Sequence, residues 1–198
     1  MSAEPLVLPE PGIEWKLPPR GRVAMCGLIA AEAAIFTIFV VAYLFYIGKS
    51  VTGPTPREVL HVPIFFTICL LSSSITIHSA VKALSSGNAR GFALRWILTI
   101  ALGAAFLAGT AREWGHLIYD EGLTIRTNLF GTTYYSLVGL HAFHVTAGLI
   151  ALATVSLFSL LGRVREEHAE PVGVLSLYWH FVDAVWVVVF MVVYVIGR

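Results

Sequence analysis

Charge is scarce in this chain of 198 residues: Asp, Glu, Lys and Arg make up 13% and the formal net charge is +1. The basic residues are scattered singly, which excludes an electrostatic footprint for nucleic acid. Cysteine is scarcer still. Cys26 and Cys69 stand alone in apolar stretches, so neither a disulfide framework nor a CxxC metal site can form. Each reads as a small apolar packing residue. No P-loop, GxSxG elbow or dinucleotide fingerprint occurs, and no internal repeat of the kind that builds two-halved transporters. The opening segment MSAEPLVLPEPGIEWKLPPR lacks the basic start and short apolar run of a secretory leader. Its five prolines and three glutamates predict a surface tail over residues 1–22.

What fills the remainder is hydrocarbon. Hydrophobic residues make up 57% of the chain, more than a water-soluble domain of this length can cover. Five apolar stretches, near 23–47, 62–83, 92–111, 131–161 and 174–197, are each long enough to cross ~30 Å of hydrocarbon as a helix. The fourth exceeds an upright span and must tilt or protrude. Between them lie GKSVTGPTPRE, SSGNARG, REWGHLIYDEGLTIRTN and GRVREEHAEPVG, where glycine, proline and charge end helices. The expectation is one all-α domain over 23–198, an integral-membrane bundle of five transmembrane helices.

Lys and Arg set the orientation. The tail and the second–third and fourth–fifth connections hold Lys16, Arg20, Arg22, Lys82, Arg90, Arg95, Arg163 and Arg165. The other side holds Lys49, Arg57, Arg112, Arg126 and Arg198. Eight against five predicts a cytoplasmic N-terminus and a C-terminus outside. Trp15, Trp96, Trp114 and Trp179 lie close to span ends, where indoles anchor at the interface.

Ionisable residues inside the spans are the informative exception. At the bilayer centre such a residue costs about 2.5–3.5 kcal/mol or more, so it faces protein or a pathway. Glu32 and Asp183 each lie roughly 14 Å in from the start of their spans. His141 and His144 are three apart in one span, and His180 and Asp183 three apart in another. That spacing predicts two polar patches, each on one helix face. If the first, fourth and fifth spans pack together, Glu32, His144 and Asp183 can meet near the midplane. Glu32 reads either as a carboxyl hydrogen-bonded to a neighbouring helix or as a proton-exchanging group. His141 and His144 read as interhelical hydrogen bonds that fix register, with metal or haem ligation as the sharp alternative. No HExxH or Glu-x-x-His repeat favours the metal. His180–Asp183 reads as an imidazole–carboxylate pair. His78, in SSSITIHSAVK, reads as bonded to local serine hydroxyls, and Arg112–Glu113 as an interfacial ion pair. Gly139, Ala142, Ala147 and Gly148 permit close helix approach. On residues alone, a membrane scaffold, a histidine-ligated membrane cytochrome and a proton-coupled transporter built on Glu32 and Asp183 all stay open.

Two segments carry a resemblance. GTTYYSLVGLHAFHVTAGLI resembles the penultimate-helix signature of subunit III of the haem–copper oxidases, and YWHFVDAVWVVVFMVVYV resembles its last. The glutamate of GLIAAEAAIFTIFVVAY resembles that family's buried carbodiimide-sensitive carboxylate, and Glu113–Trp114 its Glu-Trp pair. The likeness runs from about Arg22 to the C-terminus and is to the short, five-helix bacterial form. It implies a non-catalytic subunit of a respiratory terminal oxidase, with no catalytic, cofactor-binding or metal-ligating residue of its own. Haems and copper would sit on partner subunits. Subunit I would be the main contact, subunit II and other oxidase subunits would lie nearby, and structural phospholipid would be bound. The implied location is the bacterial inner membrane. Glu32, His78, His141, His144, His180 and Asp183 would be its buried, proton-linked polar set. A cytochrome c oxidase is the first reading. A quinol oxidase subunit III and a nitric oxide reductase-associated homologue are the alternatives.

Overall fold

A computed structural model describes residues 19–50 and 52–197. The tail expected over 1–22 lies outside them as far as residue 18, and its last three residues are helical. Five long helices cross the molecule: α1 (Arg20–Tyr46), α3 (Ile64–Ser85), α4 (Ala89–Tyr119), α5 (Leu129–Leu160) and α6 (Ala169–Phe190), with one short helix, α2 (Pro56–Val59), between the first two. No strand occurs among the described residues. All five long helices are long and apolar enough to span a membrane. At 1.5 Å per residue the 31 residues of α4 extend for about 46 Å.

The third span runs on well past its expected end. Arg112–Tyr119 continues α4 as helix rather than forming a loop. Nothing in REWGHLIY forbids a helix; its polar side chains only show that the helix has left the hydrocarbon. The stop comes at Gly122, whose φ of 64° is left-handed and open to glycine at little cost. Asparagine starts both α4 and α5. Asn88 accepts from Gly91 N–H at 2.8 Å and Asn128 from Gly131 N–H at 2.8 Å, each satisfying one free amide of a first turn. The Asn128 amide also donates to Thr52 O and Pro54 O, which ties the loop after α1 onto the start of α5.

The helices alternate in direction. One end of the bundle gathers the start of α1, the turn from α3 to α4 and the connection from α5 to α6. The other end gathers the 47–63 and 120–128 segments. α6 packs against α1, α3 and α5 and is the most enclosed span; α1 is the least. Beyond Phe190 the helix widens into π geometry over Met191–Ile196.

Two tryptophans expected at the interface are core residues. Trp96 and Trp179 are fully buried. Trp96 donates Nε1–H to Leu152 O at 2.9 Å, and Trp179 donates to Ser73 Oγ at 2.8 Å. The Trp179 indole lies between two glycines of different helices. A Cβ on Gly103 of α4 or on Gly148 of α5 would stand 2.8 Å from its ring atoms. Of the two cysteines, Cys69 packs inside and Cys26 lies on the exposed surface of α1.

Candidate functional site

The polar residues inside the spans fall into separate clusters, each joining different helices. Glu32 of α1 and His144 of α5 meet at 3.0 Å, Oε2 to Nε2. The other imidazole nitrogen, Nδ1, lies 2.8 Å from Leu140 O. A carbonyl only accepts, so Nδ1 carries a hydrogen. The bridge to Glu32 therefore contains one proton, shared between the Oε2 and Nε2 sides. Phe36 covers the imidazole with ring centroids 4.9 Å apart, and Tyr178 of α6 donates to His144 O at 3.3 Å.

Asp183 does not join them. The carboxylate is buried and faces α3, where Ser74 donates to its Oδ2. Ser74 Oγ also lies 3.0 Å from His180 Nδ1. Its single hydrogen is spent on Asp183, so it accepts from Nδ1–H, and His180 Nε2 accepts from Ser176 at 3.3 Å. The expected direct His180–Asp183 pair is thus a bridged one, with a serine from another helix between the two. This is not the order of a hydrolytic triad, in which imidazole separates hydroxyl from carboxylate. His78, expected in the buried set, is exposed, and its imidazole makes no hydrogen bond among the described residues. The serines beside it in sequence serve α6 instead, through His180, Asp183 and Trp179.

His141, expected to share a patch with His144, is turned the other way. It is wholly buried, stacked on Trp186 at 5.0 Å and edged by Phe106 at 5.7 Å, and neither ring nitrogen has a partner. Residues three apart on a helix differ by about 60° around the axis. Here that difference sends one imidazole to α1 and the other into an aromatic box.

A further cluster forms at the opposite end of the bundle. Glu113 receives Tyr194 O–H at 2.9 and 3.0 Å on its two oxygens, and Tyr134 approaches Tyr194 at 3.5 Å. The expected Arg112–Glu113 ion pair does not form among the described residues. Adjacent helical residues point about 100° apart, so Glu113 faces α6 while Arg112 does not. Trp186, which donates to Thr67 Oγ1 at 3.2 Å, links α6 to α3 between these clusters.

Sequence reasoning missed Ser73, Ser74, Thr67 and Tyr194 as the partners. Three consecutive serines at 72–74 inside an apolar span were the available signal. Chemically the arrangement offers hydrogen bonds across helices and one-proton bridges. Among the described residues no group of three or more His, Cys, Asp or Glu could hold a metal ion.

Comparison with known proteins completes the picture. A family model described as cytochrome c oxidase subunit III matches residues 24–198. The chain is 33% identical over 171 residues to a cytochrome c oxidase subunit 3 of Alkalihalophilus pseudofirmus, covering 85% of this chain and 83% of that one. It is 40% identical over 139 residues to the protein of the same name from Corynebacterium diphtheriae, covering 69% and 67%. A quinol oxidase subunit 3 of Bacillus subtilis is 29% identical over 182 residues, covering 89% of each.

Proposed function

The chain belongs to the cytochrome c oxidase subunit III family, and from that membership we propose that it is the supporting subunit packed directly on the haem- and copper-bearing chain of its complex. It is a multi-pass membrane protein and a subunit of a multi-subunit haem–copper oxidase. The redox centres reside on the companion chains. Its own part is to hold the catalytic chain in working order and to assist on the proton-uptake side, with its N-terminal end in the cytoplasm of a bacterial inner membrane.

One observation carries the reading: the family match extends over every long helix, from residue 24 to residue 198. The site supports it. Of the imidazoles best placed by sequence for ligation, His144 is engaged by Glu32 and Leu140, and His141 is closed in by the rings of Trp186 and Phe106. Polar side chains that join helices inside lipid make a scaffold with a fixed register.

The electron donor divides the relatives, since both cytochrome c and quinol oxidase subunits resemble the chain. Cytochrome c oxidase is the better-supported assignment on identity. Purification through this chain in mild detergent tests the proposal. The expected result is co-purification with a larger haem- and copper-bearing chain, while this chain, once separated, is colourless. Recovery of the chain alone, or with its own haem, contradicts it.

A further inference from the structure

At the end of the bundle where α1 and α6 start and α3 ends, a cavity of about 580 Å³ opens to the surface. Arg22, His78, Lys82 and Ser85 stand around it, and Ser176 and His180 form part of its wall. His180 is half-buried and lines the opening, whereas Asp183 is 3% exposed. Between them runs the unbroken set of contacts described above: Nδ1 of His180 to Ser74 Oγ at 3.0 Å, then Ser74 to Asp183 Oδ2. The donors all point inward. Asp183 Oδ1 has no partner, so Ser74 is the hydrogen-bonded exit from this carboxylate among the described residues.

We propose that Asp183 exchanges its proton with the aqueous phase at this end of the bundle through a relay of His180 and Ser74. A proton arriving at His180 Nε2 releases the one on Nδ1 to Ser74 Oγ, as the Ser74 hydroxyl proton passes to Asp183 Oδ2. One N–H forms and one breaks, one O–H breaks on Ser74 and one forms there, and the carboxylate gains an O–H; no electron moves. The imidazole ends neutral in its other tautomer, and release of the proton runs the sequence backwards. The relay is a function of this chain's own geometry and does not rest on the subunit assignment.

Other groups near α6 do not offer a competing route. On α3 the nearby titratable groups are His78, whose ring centroid is 6.5 Å from that of His180, and Lys82. On α1, Arg22 stands at the mouth while Glu32 is bonded to His144 of α5. His141 of α5 has no hydrogen-bonded neighbour, and Glu113 of α4 is engaged with Tyr194 at the far end. The two cations at the mouth repel hydronium, so an imidazole there suits exchange with water and buffer.

Hydrogen–deuterium exchange of the Asp183 carboxyl, followed by infrared spectroscopy on this chain purified in mild detergent within the complex it retains, tests the relay. The band belonging to Asp183 is the one lost in Asp183→Asn. In the unmodified complex it should shift within the mixing time on transfer to D2O. Ser74→Ala should slow the shift by about tenfold or more, an added barrier of about 1.4 kcal/mol. His180→Phe should slow it likewise, and Ser74→Thr, which keeps a hydroxyl, should restore the fast rate. A merely structural serine would not give that rescue. The proposal is overturned by equally fast exchange in Ser74→Ala, by no exchange in the unmodified complex, or by the lack of an Asp183 carboxylic-acid band at acidic and neutral pH alike.

Discussion

Glu32 and His144 lie 3.0 Å apart on two different helices, and the Leu140 carbonyl leaves the imidazole a single way to meet the carboxyl. Among the described residues that contact is the side-chain hydrogen bond between α5 and the least enclosed span. Phe36 and Tyr43 are the buried side chains of α1, and Phe39 and Val40 pack partly against the core. A double-mutant cycle over Glu32→Ala and His144→Ala should show a coupling of about 0.6–1.7 kcal/mol in the unfolding of the subunit. Glu32→Gln, which can still donate to Nε2, should cost less than Glu32→Ala. Strict additivity of the two alanine substitutions would show that the pair is not an interaction.

Packing around Trp179 sets a second expectation. Gly103→Val and Gly148→Val each push side-chain carbon into an indole that has no room to retreat, since both glycines face it. Overpacking of this kind costs about 1–3 kcal/mol. Gly27→Val, by contrast, meets nothing within 4 Å. Thermal unfolding of the three variants should separate the first two from the third, and equal midpoints would contradict the packing described.

Glu113 and Arg112 should behave oppositely to what their sequence positions suggest. Tyr194→Phe leaves the Glu113 carboxyl without its donor in a half-buried site and should cost about 1–3 kcal/mol. Arg112→Ala, at an exposed position, should change stability by less than about 0.5 kcal/mol. Chemical denaturation of both variants decides, and a larger loss for Arg112→Ala would restore the ion pair.

Acid should loosen the loop between α1 and α3. The Thr55 backbone N–H, 2.9 Å from Glu58 Oε2, and then the Thr55 hydroxyl hold the Glu58 carboxyl below its ordinary range. A depressed carboxyl stabilises its fold above the ordinary carboxylate range and loses that contribution as pH falls through its own lower value. Amide protection over residues 55–60, each exchange rate taken relative to the intrinsic rate at that pH, should therefore be unchanged from neutral pH down to the ordinary carboxylate range and fall below it. Glu58→Gln should abolish the acid transition, and Thr55→Ala, which keeps the backbone N–H, should only weaken it. Its persistence in Glu58→Gln would assign it to another group.

Much of this was legible beforehand, and the exceptions share a cause. The five spans follow from apolar runs alone, because lipid demands them. Glu32 and His144 stood out because charge in a span is costly, and depth brought them to the same level. Ser74 did not stand out, since a serine in a span costs little and its partner depends on how α3 is rotated against α6. His141 and His144 looked alike in sequence and differ only in which neighbour each helix face meets. Trp96 and Trp179 sit near span ends in sequence, but indoles there can point inward as well as toward headgroups. Rotation and facing are tertiary facts, and hydropathy is blind to them.

The claim beneath the whole account is that the polar groups of this chain hold helices together and leave oxygen chemistry to a companion. The time course of oxygen reduction by the assembled complex carrying Glu32→Ala tests it most directly. The expected result is an initial rate close to that of the unmodified complex, followed by faster decay or loss of the subunit during turnover. An immediate and complete loss of activity, with every chain still in place, would contradict it.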